Sequence, residues 1–191
     1  MQQVSEREWV DVMNAAQQQI VDAFERQVRT VGYTKANLDE IACDLKISKK
    51  TIYVHFDGKR DIYAHVVARQ ALAEKKRLAA AVAPLPDFSA RVEAVMRSVL
   101  DMARTHVEET SADEWLHEYE IAADVFRKAT GDLLRELVQG GMDAGEFRSG
   151  DAALVEKMAT AVVVEYLMLV NADPAYNRDE ELLERLGNFI R

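Results

Sequence analysis

The sequence predicts an all-α fold of about nine helices, and three observations predict it. Glycine (8) and proline (3) are scarce among the 191 residues, while Ala, Leu, Glu and Arg, the good helix formers, abound. Apolar residues recur every three or four positions along most of the chain, which is the helical period. Residues that cap helix N-termini stand at the start of most of these runs. No strand, repeat or low-complexity tract is legible.

Taken in order, Ser5 with Glu8 reads as a capping box. Trp9, Val12, Met13, Ala16, Ile20, Phe24, Val28 and Val31 then follow at helical spacing, so the spacing predicts one long first helix ending at Gly32. Asn37 with Glu40 opens a second helix that buries Leu38, Ile41, Ala42 and Leu45. Ser48 caps a short third, from Lys49 to His55. Gly58 precedes a fourth, from Lys59 to Val82, with Asp61 in its first turn favouring the helix dipole. Pro84 and Pro86 end it and mark the clearest boundary in the chain. The fifth runs from near Phe88 to His106 with a stripe of Val92, Val95, Met96, Val99 and Met102. Ser111 and Glu114 form another cap pair. Helices six and seven follow, with a break before Phe126 and an end marked by Gly140, Gly141 and Gly145. Asp151 opens the eighth, to Asn171, and Arg178 to Ile190 is an amphipathic ninth.

Composition excludes several classes. Cys43 stands alone, so neither a disulfide framework nor a thiolate zinc site can be built; the expected compartment is the reducing cytoplasm. Cys43 itself reads as a small filler rather than an oxidant sensor. Met1 to Val10 has acids and no apolar stretch, so it does not read as a secretory signal. Ala161 to Val170 is interrupted by Glu165 and too short for a membrane span. His65, His106 and His117 have no His or Cys four residues away, so no metal site is expected; the pairing of His117 with Glu114 or Glu118 stays open. No nucleophile–base pair or phosphate-binding glycine loop points to an enzyme, and no cofactor is implied.

The net charge of −9 argues against a nucleic-acid partner until it is divided along the chain. Residues 1–70 hold ten basic and ten acidic side chains, whereas residues 71–191 hold fourteen and twenty-three. Between Lys46 and Arg60 stand five basic residues (Lys46, Lys49, Lys50, Lys59 and Arg60) against one acid, Asp57. Phosphate contact needs such a local patch. The second and third helices are joined by Lys46-Ile47 alone, and the third presents Ser48, Lys49, Lys50, Thr51, Tyr53, Val54 and His55. A helix of this kind can enter the major groove N-terminus first, its free N–H groups facing anions. Ile47, Ile52 and Phe56 point the other way and anchor it. Tyr53 and His55 can donate to phosphate oxygens, and Lys59 can reach the same strand.

These residues resemble the tetracycline-repressor-like (TetR) transcriptional regulators. The resemblance rests on Gly32-Tyr33, Leu38, Glu40-Ile41-Ala42, Ile47-Ser48-Lys49-Lys50-Thr51-Ile52-Tyr53, His55-Phe56, Lys59 and Ile62, without gaps. It covers roughly Ile20 to Val67; a weaker echo is Gly145-Glu146-Phe147-Arg148. It implies a helix-turn-helix DNA-binding domain in residues 1–64, and a helical domain in residues 65–191 for dimerisation and effector binding. It makes Ser48 to His55 the recognition helix. Asn37, Lys49, Tyr53, His55 and Lys59 would then grip phosphates, and Lys50, Thr51 and Val54 would read bases. Three residues depart from the family pattern. Lys46 stands at a usual glycine, where a positive φ would strain it; Lys50 replaces a frequent glycine, and Phe24 a usual alanine.

The implied protein is a cytoplasmic homodimeric regulator of a double-stranded DNA operator, a repressor released by a small molecule, without membrane contact. Helix four would carry the change, and helices eight and nine would form a four-helix bundle with their mates. Leu154, Met158, Ala161, Val162 and Leu169 would line one of these, and Leu182, Leu183, Leu186, Phe189 and Ile190 the other. Met96, Met102, Trp115, Tyr119, Phe126, Glu165 and Met168 are the candidate effector-pocket residues, though aromatic and Met residues at this spacing also read as plain core. Glu165, ringed by Ala161, Val162, Met168 and Leu169, would face the cavity, a dimer mate or a solvent edge. The competing reading is a helical ligand-binding or protein-interaction bundle without specific DNA binding.

Overall fold

A computed structural model describes residues 13–109, 131–173 and 175–190, and every regular element among them is a helix. In chain order these are α1 (Ala15–Val31), α2 (Leu38–Asp44), α3 (Lys49–His55), α4 (Lys59–Val82), α5 (Phe88–Glu109), α6 (described over residues 131–143), α7 (Ala152–Ala172) and α8 (Asp179–Ile190). The expected Ser111–Glu114 cap pair and the break between helices six and seven lie outside the described residues. None of the described helices is long and apolar enough to cross a membrane. The described residues fall into two compact units, one of residues 13–73 and one of residues 74–109 and 131–190.

The apolar spacing does not carry one helix through Met13 and Asn14. Met13 and Asn14 are not helical, and α1 starts at Ala15. The reason is a capping box further along than Ser5: Asn14 Oδ1 accepts from Gln17 N at 3.0 Å, and Gln17 Oε1 accepts from Asn14 N at 3.0 Å. The Ser5–Glu8 pair and Trp9 lie outside the described residues. In this first unit Ile20, Val21, Phe24, Ile41, Ile52, Ile62 and Val66 form a core with almost no exposure. Phe24 fills its centre, edge-on to Tyr33 and Tyr63.

Arg69 of α4 fastens α1. Its guanidinium donates to Asp22 and Glu25, while Gln70 Nε2 gives Glu25 a further bond at 2.9 Å. Burial pushes the Glu25 carboxyl up, but the Gln70 bond and the Arg69 charge outweigh it and hold it below the usual range.

The core of the second unit draws on the C-terminal part of α4 (Leu78, Val82), on α5 (Val92, Val95, Met96, Leu100), on α6 (Leu133, Leu137, Val138), and on α7 and α8. Helix α6 is the one predicted as the seventh, and two expectations about its end are corrected. Gly140 and Gly141 do not end this helix; both lie inside it. A Cβ at Gly140 would stand 2.3 Å from the half-buried Phe88 ring, and one at Gly141 would stand 2.2 Å from the buried Phe147 ring, so both glycines make room for an aromatic side chain. Gly145 alone follows the helix end, with φ 76°. Its N–H reaches Met142 O at 3.1 Å, and Glu146 N reaches Gly141 O at 2.9 Å, the two-bond Schellman cap. Glu146 then accepts from Phe88 N and Ser89 N at 2.9 and 3.2 Å, satisfying the start of α5.

Arg104 joins α5 to the other end of the unit. It donates twice to Asp179 at 2.6 Å and once to Tyr166 Oη at 3.0 Å. The paired bonds from Arg104 hold the Asp179 carboxyl below its usual range against the opposing effect of burial.

Candidate nucleic-acid interface

The α2–α3 pair is set by local chemistry. Asn37 Oδ1 caps α2 by accepting from Asp39 N at 2.8 Å, and Asn37 N donates to Gln27 Oε1 at 2.8 Å. Glu40 does not complete the expected box with Asn37; it takes the Gln27 amide at 2.5 Å and so joins α2 to α1. The turn is another Schellman cap. Lys46 N donates to Cys43 O at 3.0 Å and Ile47 N to Ala42 O at 2.9 Å, with Lys46 at φ 55°. The positive φ expected at this position is therefore present, and a lysine occupies it. Cys43 is exposed on α2, which corrects its reading as a filler.

Ser48 Oγ accepts from Thr51 N at 3.1 Å and starts α3. Ile52 has 0% exposure and Phe56 3%, and Ile47 packs against the same cluster. One face of α3 is thus held by the core. The opposite face carries Lys49 and Lys50, and leaves Tyr53 52% and Val54 71% exposed. Thr51 and His55 lie half-buried at its edges. Thr51 Oγ1 also shares a hydrogen bond with Ser48 Oγ at 2.8 Å.

The two candidate phosphate lysines differ. Lys49 Nζ bonds Asp39 Oδ2 at 2.8 Å, and that bond raises its pKa. The pair is exposed, so a phosphate can replace the carboxylate at little cost. Lys59 is partly buried, which lowers its pKa; Nζ donates to Thr34 O at 2.9 Å and sits 4.5 Å from the centre of the Tyr33 ring. Lys59 therefore steadies the segment before α2 in the free protein. Sequence reasoning missed the Asp39–Lys49 and Gln27–Glu40 pairs, which join residues ten and thirteen positions apart with no periodic signal.

The structure thus gathers Ser48, Lys49, Lys50, Thr51, Tyr53, Val54 and His55 on α3 and its cap, with Asn37 and Lys59 at the starts of α2 and α4. Among the described residues, it does not gather the candidate effector residues. Met96 belongs to the second core and also lines a groove of about 220 Å³ with Val92, Glu93, Glu180 and Leu183. Met102 and Glu165 are exposed, Met168 is half-buried, and none of these three lines that groove. Trp115, Tyr119 and Phe126 lie outside the described residues. No group of three potential metal ligands occurs among the described residues.

Residues 20–66 match the family model of bacterial regulatory proteins, tetR family. No curated protein matches the sequence at a significant level. Among solved structures, FadR from Bacillus subtilis in complex with stearoyl-CoA is 19% identical with a TM-score of 0.64, over 91% of this chain and 99% of that one. RolR in complex with resorcinol is 15% identical with a TM-score of 0.72, over 91% and 86%. FadR from Thermus thermophilus, a TetR-family repressor in complex with lauroyl-CoA, is 15% identical with a TM-score of 0.69, over 91% and 92%. These likenesses establish the fold.

Proposed function

We propose that this chain, whose N-terminal domain belongs to the tetR family of bacterial regulatory proteins, is a transcription regulator that binds a double-stranded operator as a homodimer. The observation that carries the reading is α3. Its inner face is locked by Ile52 and Phe56, while Lys50, Tyr53 and Val54 stand out in solvent on a rigid, capped helix. A valine and a tyrosine are exposed there beside two lysines because a base edge and a phosphate, rather than the rest of the chain, complete their surroundings. In this reading Asn37, Lys49, Tyr53, His55 and Lys59 hold the backbone, and Lys50, Thr51 and Val54 face the bases, with Ser48 capping the helix at the groove.

The dimer is read from α7. Leu154, Met158, Ala161, Val162 and Leu169 are all exposed on the single chain. They are the five residues expected to face a mate, and paired half-sites in DNA require a twofold axis. On α8 the face is narrower than expected, since Leu183, Leu186 and Ile190 are buried in their own unit and only Phe189 is exposed. Release by a small molecule is supported by the acyl-CoA and resorcinol held by three proteins of this fold.

Anisotropy titrations with DNA selected from a random pool, and with DNA flanking the chain's own gene, test the function. Lys49→Ala and Lys59→Ala should weaken binding to every sequence and each lower the salt slope by about 1. Lys50→Ala and Thr51→Ala should relax sequence preference, at about 1–3 kcal/mol per half-site. Absence of any selected sequence would favour the interaction-bundle reading, and identical behaviour of all four variants would overturn the division between grip and readout.

A further inference from the structure

The apolar face of α7 carries a charge in its middle, and the charge pattern fixes how two copies would meet there. The charged residues of α7 are Glu156, Lys157 and Glu165. Glu156 is buried, accepting from the Thr160 hydroxyl at 3.1 Å. The two exposed charges are thus opposite in sign, and neither makes an ion pair or hydrogen bond with the described residues. At about 100° per residue, Leu154, Met158, Ala161, Val162, Glu165 and Leu169 fill one sector about 100° wide, with Glu165 near its centre. Lys157 lies about 40° beyond the edge.

Covering this sector with another apolar surface would strand the Glu165 carboxylate away from water, which is costly unless a cation comes with the cover. A second copy of α7 brings one. Lys157 and Glu165 stand four residues to either side of Ala161, about 6 Å along the axis each way. In a twofold contact residue i meets j and j meets i. A twofold axis at Ala161, with the helices running in opposite directions, therefore brings each Lys157 level with the other copy's Glu165. One placement in the sequence satisfies both carboxylates. Ala161 lets the two backbones approach, and the lysine stem can lie along the apolar edge while its ammonium reaches inward. A parallel crossing at Glu165 would instead set like charges together.

Building on the homodimer reading above, we propose that α7 crosses its mate antiparallel at Ala161 and that two Lys157–Glu165 ion pairs set the register. Sedimentation velocity of the full chain over a dilution series tests this, with circular dichroism confirming helicity of each variant. Lys157→Glu and Glu165→Lys should each raise the dimer dissociation constant by about tenfold or more, and the doubly reversed chain should return to within about threefold of the parent. Both single effects without mutual rescue overturn the pairing. Met158→Asp separates the two levels. If it leaves the dimer intact, the α7 interface itself fails. If it breaks the dimer while the reversals do nothing, only the proposed crossing fails.

Discussion

Lys46 offers the sharpest test of the α2–α3 turn, because the molecule contains its own reference. Helices α2 and α6 end in the same two-bond cap, with Lys46 at φ 55° in one and Gly145 at φ 76° in the other. An L-residue in the left-handed region costs about 1–2 kcal/mol, from crowding of Cβ against the backbone. Glycine removes that cost but adds conformational freedom to the unfolded chain, worth about 0.5–1 kcal/mol. Lys46→Gly should therefore stabilise the first unit by about 0.5–1 kcal/mol, roughly 1–4 °C in the midpoint for a chain of this size. Lys46→Ala supplies the control, since it removes the charge and keeps the strain, and its midpoint should match the parent. Thermal denaturation followed by circular dichroism reads the stability. A salt series of DNA titrations reads the charge, and both variants should lower the slope by up to about 1. A glycine variant no more stable than the alanine variant would refute the strain argument. A salt slope equal to that of the parent would show that the ammonium does not reach the phosphates.

Three further expectations concern packing and pH. Gly141→Ala should destabilise the second unit by about 1–3 kcal/mol, because its Cβ would meet the buried Phe147 ring at 2.2 Å. Gly187→Ala in α8, with nothing within 4 Å of its Cβ, should instead gain up to about 1 kcal/mol; urea midpoints check both signs. Because the Asp179 carboxyl is held below its ordinary range, its contribution is fully present above the unfolded pKa near 4 and is lost as pH falls through the folded one. Asp179→Asn removes the charge from the Arg104 and Tyr166 hydrogen bonds, a loss of about 1.5–3 kcal/mol at pH 7, and should flatten the loss of stability below about pH 4, as read by denaturation at stepped pH.

What was legible in the sequence was local. The α3 interface runs from Ile47 to Phe56, and its cap, anchors and outward side chains all follow from spacing within that one short segment. Its placement needed only Ser48 at the N-cap and Ile52 and Phe56 on the inner side. The features that escaped are those set by distant partners. Asn14 was hidden because the apolar spacing runs straight through it, and only the reciprocal bonds with Gln17 show that α1 starts there. Gly140 and Gly141 carry the same composition signal as a helix stop, yet Phe88, over fifty residues away, and Phe147 decide their role. The effector pocket is the extreme case, since a cavity is lined by residues from several helices and no single periodicity identifies which apolar side chain faces it. Glu165 shows the same limit from the other side. Its apolar neighbours marked it as unusual, but only the exposure of that whole face turned the anomaly toward a second copy of the chain rather than its own interior. Symmetry then adds a constraint that neither periodicity nor burial contains. A charge on a self-complementary face must find its counter-charge on that same face, so the search for its partner narrows to the helix that carries it.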